Sequence, residues 1–292
     1  MLDPLLSLLE ANTPLFIATF AILGLLVGSF LNVVIYRLPV MMQRSWEAQC
    51  QELLELEQTT NESFNLIKPD SHCPHCGASI GALENIPVIS YLLQLGRCKH
   101  CNGPISVRYP LIELLTTLMS GVTAWHFGFG SAALFAVILT WALIAMSFID
   151  IDHQLLPDDI TLPLLWLGML LSLFALYTDM QSAIIGAVAG YLSLWLVYQI
   201  FKLVTGKEGM GYGDFKLFAL FGAWLGWQSL PLILLLSSLV GAAVGITLIL
   251  FRGRDRQLPI PFGPYLAAAG WIAMLWGNDI TQAYLLSVTP HS

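Results

Sequence analysis

Charge is scarce in this sequence of 292 residues: Asp, Glu, Lys and Arg make up 11% of it, and 57% is apolar. Soluble domains carry roughly 25% charge. So few charged groups cannot cover the apolar surface of a chain this long in water, which excludes a soluble globule. The same composition excludes a disordered chain, which needs high charge and low hydrophobicity. Basic residues are scarcer still. There are twelve Lys and Arg against nineteen acids, a net charge of −7, which excludes a basic nucleic-acid-binding surface. Lys and Arg are missing altogether from residues 1–36, 109–201, 217–251 and 257–292. No internal repeat or low-complexity run stands out, and no Gly-x-Gly-x-x-Gly follows a strand. What remains is an all-α polytopic membrane protein.

The apolar stretches predict about eight transmembrane helices, near residues 15–36, 111–127, 131–150, 160–178, 182–201, 215–228, 231–251 and 262–277. Some fall short of the roughly 20 residues a straight crossing needs, so they are expected to tilt little or to thin the bilayer locally. Eight crossings put both termini on one side and every Lys and Arg on the other. Arg37, Arg44, Lys68, Arg97, Lys99 and Arg108 share one connection. Lys202, Lys207 and Lys216 share a second, and Arg252, Arg254 and Arg256 a third. The positive-inside bias makes that side the cytoplasm and leaves both termini periplasmic. The first apolar segment has no basic residue before it and no clear cleavage site after it, so it is expected to be retained. The division that follows is a first membrane helix in 1–36, a cytoplasmic loop domain in 37–110 and a seven-helix membrane domain in 111–292. Within the loop, Trp46, Cys50, Leu53 and Leu54 recur at helical spacing among Glu47, Glu52, Glu55 and Glu57. This predicts an amphipathic helix over 45–58, packed on its own domain.

Cysteine is also sparse, five in all, but four form Cys73-Pro-His-Cys76 and Cys98-Lys-His-Cys101. Each Cys-x-x-Cys turn makes two sulfurs converge, and two turns supply a tetrahedral thiolate site for zinc. Gly77 and Asn102 follow each second cysteine, where a tight turn favours residues that tolerate positive φ. Two disulfides or a redox pair are the competing reading, disfavoured in a reducing cytoplasm. Four thiolates leave no open coordination position, so the zinc is expected to be structural. It would hold together a loop domain with too little core of its own. His75 and His100 are expected beside the site rather than on the metal, and Cys50 is expected to be an unliganded thiol.

A few acids stand at the ends of apolar segments, where ionisable groups are costly and mark function. Asp150 and Asp152 close the third segment, Asp214 opens the sixth within Gly211-Tyr-Gly213-Asp214, and Glu113 lies in the first turn of the second. Each has a plainer alternative. Asp214 reads also as a helix N-cap, Asp158 and Asp159 as caps of the fourth segment, Asp152 as an exposed residue beyond a helix end, and Glu113 as an acid favoured by the helix dipole. Asp150 and Asp152, at i and i+2, point apart on a helix. Asp150 and Asp214 begin at the same membrane face on different helices. Two carboxylates brought together share one proton, so that one can take a proton from water while the other polarises a peptide carbonyl. Gly211 and Gly213 leave room for an extended substrate backbone. Proton-coupled transport by these acids is a second reading, disfavoured because they lie at one face and no repeat is visible.

The motifs taken together resemble the type IV prepilin peptidase family, within the wider Gly-x-Gly-Asp membrane aspartic proteases that include presenilins. They are Gly28-Ser-Phe-Leu-Asn-Val-Val-Ile-Tyr-Arg-Leu-Pro39, the two Cys-x-x-Cys pairs, Glu84-Asn-Ile-Pro87, Arg108-Tyr-Pro-Leu-Ile-Glu113, Ile149-Asp-Ile-Asp-His-Gln-Leu-Leu-Pro-Asp158, Gly209-Met-Gly-Tyr-Gly-Asp-Phe-Lys216 and Pro261-Phe-Gly-Pro264. They cover nearly the whole chain in order, and the cysteine loop separates it from presenilin-like proteases of other substrates. The resemblance implies an enzyme of the bacterial inner membrane with Asp150 and Asp214 as its catalytic pair. It implies cleavage of prepilins and pseudopilins on the cytoplasmic side, after the glycine ending a short basic leader. It also implies methylation of the new N-terminal residue by S-adenosylmethionine. Gly96 and Glu113 are candidates for the surroundings of that methyl donor.

Overall fold

Asn12 starts the longest helix by accepting a hydrogen bond from the Leu15 backbone amide at 3.0 Å, with Pro14 just inside the first turn. In the computed structural model, which describes residues 3–56, 64–252 and 261–288, this helix runs without a break from Thr13 to Leu53. The sequence reading separates a span at 15–36 from a helix at 45–58; the structure joins them. Pro39 removes one backbone donor, but the following Met, Gln, Glu and Leu residues all favour helix and no glycine interrupts them. Glu57, Arg254 and Arg256 lie outside the described residues.

The chain divides into two compact units, residues 1–141 and 142–292. The first holds α1 (Asp3–Ala11), α2 (Thr13–Leu53), α3 (Ile89–Leu93), α4 (Arg108–Phe127) and the beginning of α5 (Ser131–His153). α2 and α4 are the principal packed pair. They approach so closely at Gly28 that a Cβ there would stand 2.8 Å from the Glu113 Cα, the small-residue packing typical of membrane helices. Asn32 Nδ2 donates to the Tyr109 carbonyl at 3.3 Å one turn further along.

The second unit holds the end of α5 with α6 (Asp158–Ser172), α7 (Met180–Thr205), α8 (Tyr212–Leu225), α9 (Leu230–Arg252) and α10 (Gly263–Val288). α8 is its centre. Phe215, Phe218, Phe221 and Trp224 are fully buried on it, as a helix apolar all round requires. The Trp224 indole donates to the Leu164 carbonyl at 2.8 Å, so its one polar atom is satisfied.

Each of the eight predicted apolar segments lies on a helix, and no strand occurs among the described residues. Four stretches among the described residues are long and apolar enough to cross a membrane: Thr13–Leu53, Ser131–His153, Met180–Thr205 and Trp227–Leu248. The predicted segment 160–178 ends as helix at Ser172, where Ser172 Oγ turns back onto the Met169 carbonyl at 2.7 Å.

Candidate active site and metal centre

The last turn of α5 carries Asp150, Asp152 and His153. Asp150 is buried, and its Oδ2 accepts the Gly263 backbone N–H at 3.0 Å. Gly263 opens α10. A Cβ at that position would stand 2.6 Å from the same carboxylate oxygen, so only glycine lets the amide reach it. Asp152, two residues on, is exposed.

Asp214 is also buried. It is not the N-cap of α8, which is Gly211; it is the third helical residue, and its Oδ2 lies 3.8 Å from where a Gly211 Cβ would stand. It lies within electrostatic reach of Asp150. Leu156 packs between the two backbones. Its Cβ would be 2.8 Å from a Cβ at Gly213, and its Cδ2 is 3.1 Å from where a Gly263 Cβ would be. The segments 150–156, 211–214 and 261–264 therefore meet around two buried carboxylates.

Two expectations need correction. Asp158 and Asp159 are not caps, because Pro157 occupies the cap position of α6. Asp158 instead takes Lys216 Nζ on both oxygens, at 2.7 and 2.6 Å, tying the start of α6 to α8 two residues beyond Asp214. Glu113 is not in a first turn, because α4 starts five residues earlier at Arg108. Its position in the second turn is too deep for the dipole reading. It is buried and accepts the Val88 backbone N–H at 2.7 Å. Val88 has φ +60°, rare for a β-branched residue. Gly96, at φ +68°, sits with its α-carbon against the Tyr91 ring.

The candidate metal centre is built from two copies of one backbone pattern, 25 residues apart. In the first, Gly77 N–H donates to the Cys73 carbonyl, Cys73 N–H to Ala78 and Ile80 N–H to Ser71. In the second, Asn102 N–H donates to Cys98, Cys98 N–H to Gly103 and Ile105 N–H to Gly96. Gly77 and Asn102 both have positive φ, +71° and +57°. A repeat is thus present here, although the side chains share only the two cysteines, a histidine and an isoleucine.

The four thiol sulfurs lie within 4.8 Å of one another, and Cys73 Sγ is 3.8 Å from Cys101 Sγ. A disulfide needs about 2.05 Å, and all five cysteines are free. Four sulfurs each about 2.3 Å from a tetrahedral metal would stand near 3.8 Å apart, so the residues fit a tetrathiolate ion. The amides of Cys76 and His75 bring the Cys73 thiol down to about 7. The amides of Cys101 and His100 lower Cys98 likewise. Against the pull of the Gly103 amide, burial and crowding by the other three thiols push Cys101 up to about 11. Such a cluster is stable as thiolates only beside a cation. His75 packs on Gly103 near Cys101 but is not among the clustered groups. Glu84 anchors the turn before the second knuckle: it accepts the Gly81 amide at 3.2 Å and pairs with Lys99 at 3.4 Å.

Residues 22–127 match the model of the bacterial peptidase A24 N-terminal domain, and residues 137–246 that of the type IV leader peptidase family. A protein of Stutzerimonas stutzeri named prepilin leader peptidase/N-methyltransferase is 57% identical over 278 residues, covering 95% of this chain and 96% of the relative. The chain belongs to the type IV leader peptidase family. Relatives of the same name from Pseudomonas aeruginosa and Legionella pneumophila are 56% and 46% identical, over 97% and 96% of this chain and 98% and 99% of theirs. No solved structure matches the chain. The leader peptidase region contains Asp150 and Asp214 but ends before Gly263, and the N-terminal region contains the four cysteines, Gly96 and Glu113. In this leader peptidase family member, Leu156, Asp158, Lys216 and Gly263 stand inside the motifs quoted from the sequence, but the sequence reading gave Gly263 and Leu156 no role of their own and did not pair Asp158 with Lys216. The signals at Gly263 were its place in Pro261-Phe-Gly-Pro264 and the Gly263-Pro264 step, a typical helix start.

Proposed function

We propose that this protein removes short basic leaders from prepilins and pseudopilins with Asp150 and Asp214, then N-methylates the new terminus. The observation that carries the reading is the pair itself. Two buried carboxylates come from separate helices, Asp150 is held by the Gly263 backbone amide, and the two are close enough to influence each other. Neighbouring carboxyl groups share one proton. The ionised member takes a proton from water, and the hydroxide equivalent attacks the scissile carbonyl. The protonated member donates to the carbonyl oxygen. Collapse of the tetrahedral intermediate breaks the C–N bond, and the amine leaves with the proton taken from water. Exposed Gly211 borders the pair and leaves the backbone of an extended substrate free to approach.

The bilayer delivers the substrate. A prepilin is itself a membrane helix that diffuses laterally to the cytoplasmic face of the inner membrane. There eight crossings hold the dyad and the cysteine loop, with both termini in the periplasm. The scarcity of Lys and Arg outside three connections supports this placement. Cys73, Cys76, Cys98 and Cys101 hold a structural zinc, and S-adenosylmethionine supplies the methyl group. Gly96, Glu113, Gly211 and Gly213 belong to the surroundings of substrate and donor.

The test is an intact-mass spectrum of a purified prepilin mixed with the reconstituted enzyme, with and without S-adenosylmethionine. The expected result is loss of the leader in both mixtures and one added methyl mass only with the donor. An unchanged prepilin mass would contradict the peptidase reading, and leader loss with no methyl gain would contradict the transferase reading.

A further inference from the structure

We infer that the segment Ile86–Leu95 is a membrane-contacting surface, seated in the acyl–headgroup boundary of the cytoplasmic leaflet beside α2 and α4. It is apolar and uncovered. Leu92, Leu93 and Leu95 are 64%, 80% and 86% exposed, and Ile86 and Ile89 are exposed beside them. α3, which carries three of these residues, buries none of its five. In water such a surface would be a liability.

The hydrogen bond from Val88 to Glu113 sets its depth. Glu113 lies five residues inside α4 from Arg108, about 7.5 Å along the helix. Its Cα abuts Gly28 of α2. Gly28 is nine residues before Arg37, the first charge of α2, a rise of about 14 Å. The residue that opens α3 is therefore tethered level with the uncharged part of α2, a helix long and apolar enough to span the membrane. Measured from Arg108, the level of about 7.5 Å falls within the depth of about 5–10 Å at which interfacial helices bury their apolar face, and measured from Arg37 it lies a few ångströms deeper.

Charge fits the same occupant. No acid occurs between Glu84 and Glu113, whereas Arg97, Lys99 and Arg108 do. An apolar surface rimmed by bases suits an anionic leaflet. Tethering by a buried acid explains why Val88 keeps a positive φ: the geometry presents the following leucines outward at a fixed level.

The inference rests on the membrane placement given above, and one experiment separates the two. A genetically encoded fluorescent amino acid replaces Leu92, Leu93 or Leu53 in the full chain, reconstituted in nanodiscs with brominated phosphatidylcholine and phosphatidylglycerol. Leu53 is the control. It is equally exposed, and it ends α2 sixteen residues beyond Arg37, about 24 Å further out. All three sites are solvent-accessible, and helical circular dichroism checks each fold. Quenching at positions 92 and 93 is expected to exceed that at 53 by about threefold or more, as interfacial insertion requires. Weak quenching at all three sites overturns the surface and leaves the membrane placement standing. Strong quenching at all three overturns both. Quenching at 92 and 93 that disappears with two copies per disc, or with added prepilin, assigns the surface to a protein partner and overturns the lipid assignment.

Discussion

Replacing Asp150 or Asp214 with Asn lowers the rate of leader cleavage by about 10²–10⁴-fold or more, the range that general acid–base groups contribute. Asn keeps the shape of the side chain. At position 150 its amide oxygen can still accept the Gly263 N–H that the carboxylate accepts at 3.0 Å. What disappears is the ability to take a proton from water or to carry the shared one. The packing around the site, from Leu156 and the buried face of α8, does not depend on charge. Both variants are therefore expected to insert and to keep their helical content. Cleavage rates normalised to folded, membrane-inserted protein check this. A variant that is inactive because it fails to insert would not count in favour.

Removing one of the proposed metal ligands is expected to have the second-largest effect, and it falls on a different unit. Cys73→Ser or Cys98→Ser removes one of the two buried cysteines of the cluster. Structural tetrathiolate zinc is worth roughly 10–16 kcal/mol in small domains, so loss of one ligand costs much of the order in the loop. Residues 71–105 contain few regular hydrogen bonds beyond the two knuckles and α3. Bound zinc is expected to fall from about one ion per chain to a small fraction. Amide exchange across 71–105 is expected to quicken by about a hundredfold or more, while that of α8 is unchanged. Exchange in 71–105 that does not respond to ligand loss would contradict a structural role for the metal.

The parts of this molecule that are local in sequence were legible in it. A Cys-x-x-Cys turn is complete within five residues. Its two ligands, and the positive φ at Gly77 and Asn102, follow from residue type and spacing alone. The apolar segments marked helices for the same reason, and four stretches among the described residues are long and apolar enough to cross a membrane. Helix ends were less legible. The apolar run ends near residue 36, which separated a span from a helix over 45–58, but propensity and the lack of a stop signal carry α2 through.

Contacts between distant segments were not legible. The amide that holds Asp150 comes from a residue 113 positions away, and the partner of Asp158 lies 58 away. Glu113 was misplaced because its helix begins earlier than the apolar run does. Asp150 and Asp214 were singled out on chemistry, as acids at the ends of apolar segments. The glycine that orients Asp150 and the leucine that packs beside both backbones carry no chemistry of their own, so residue type marked neither as a partner of the carboxylates.

The central claim is that the two carboxylates act as one unit, and a double-mutant cycle tests it most directly. Leader cleavage is measured for Asp150→Asn, Asp214→Asn and the two combined, in membranes with equal amounts of folded protein. Groups that share one proton in one step are non-additive: once either is gone the other has nothing to work with. The account predicts that the combined variant is no slower than the slower single variant. Losses that multiply, or a single variant that cleaves at close to the unaltered rate, would contradict it.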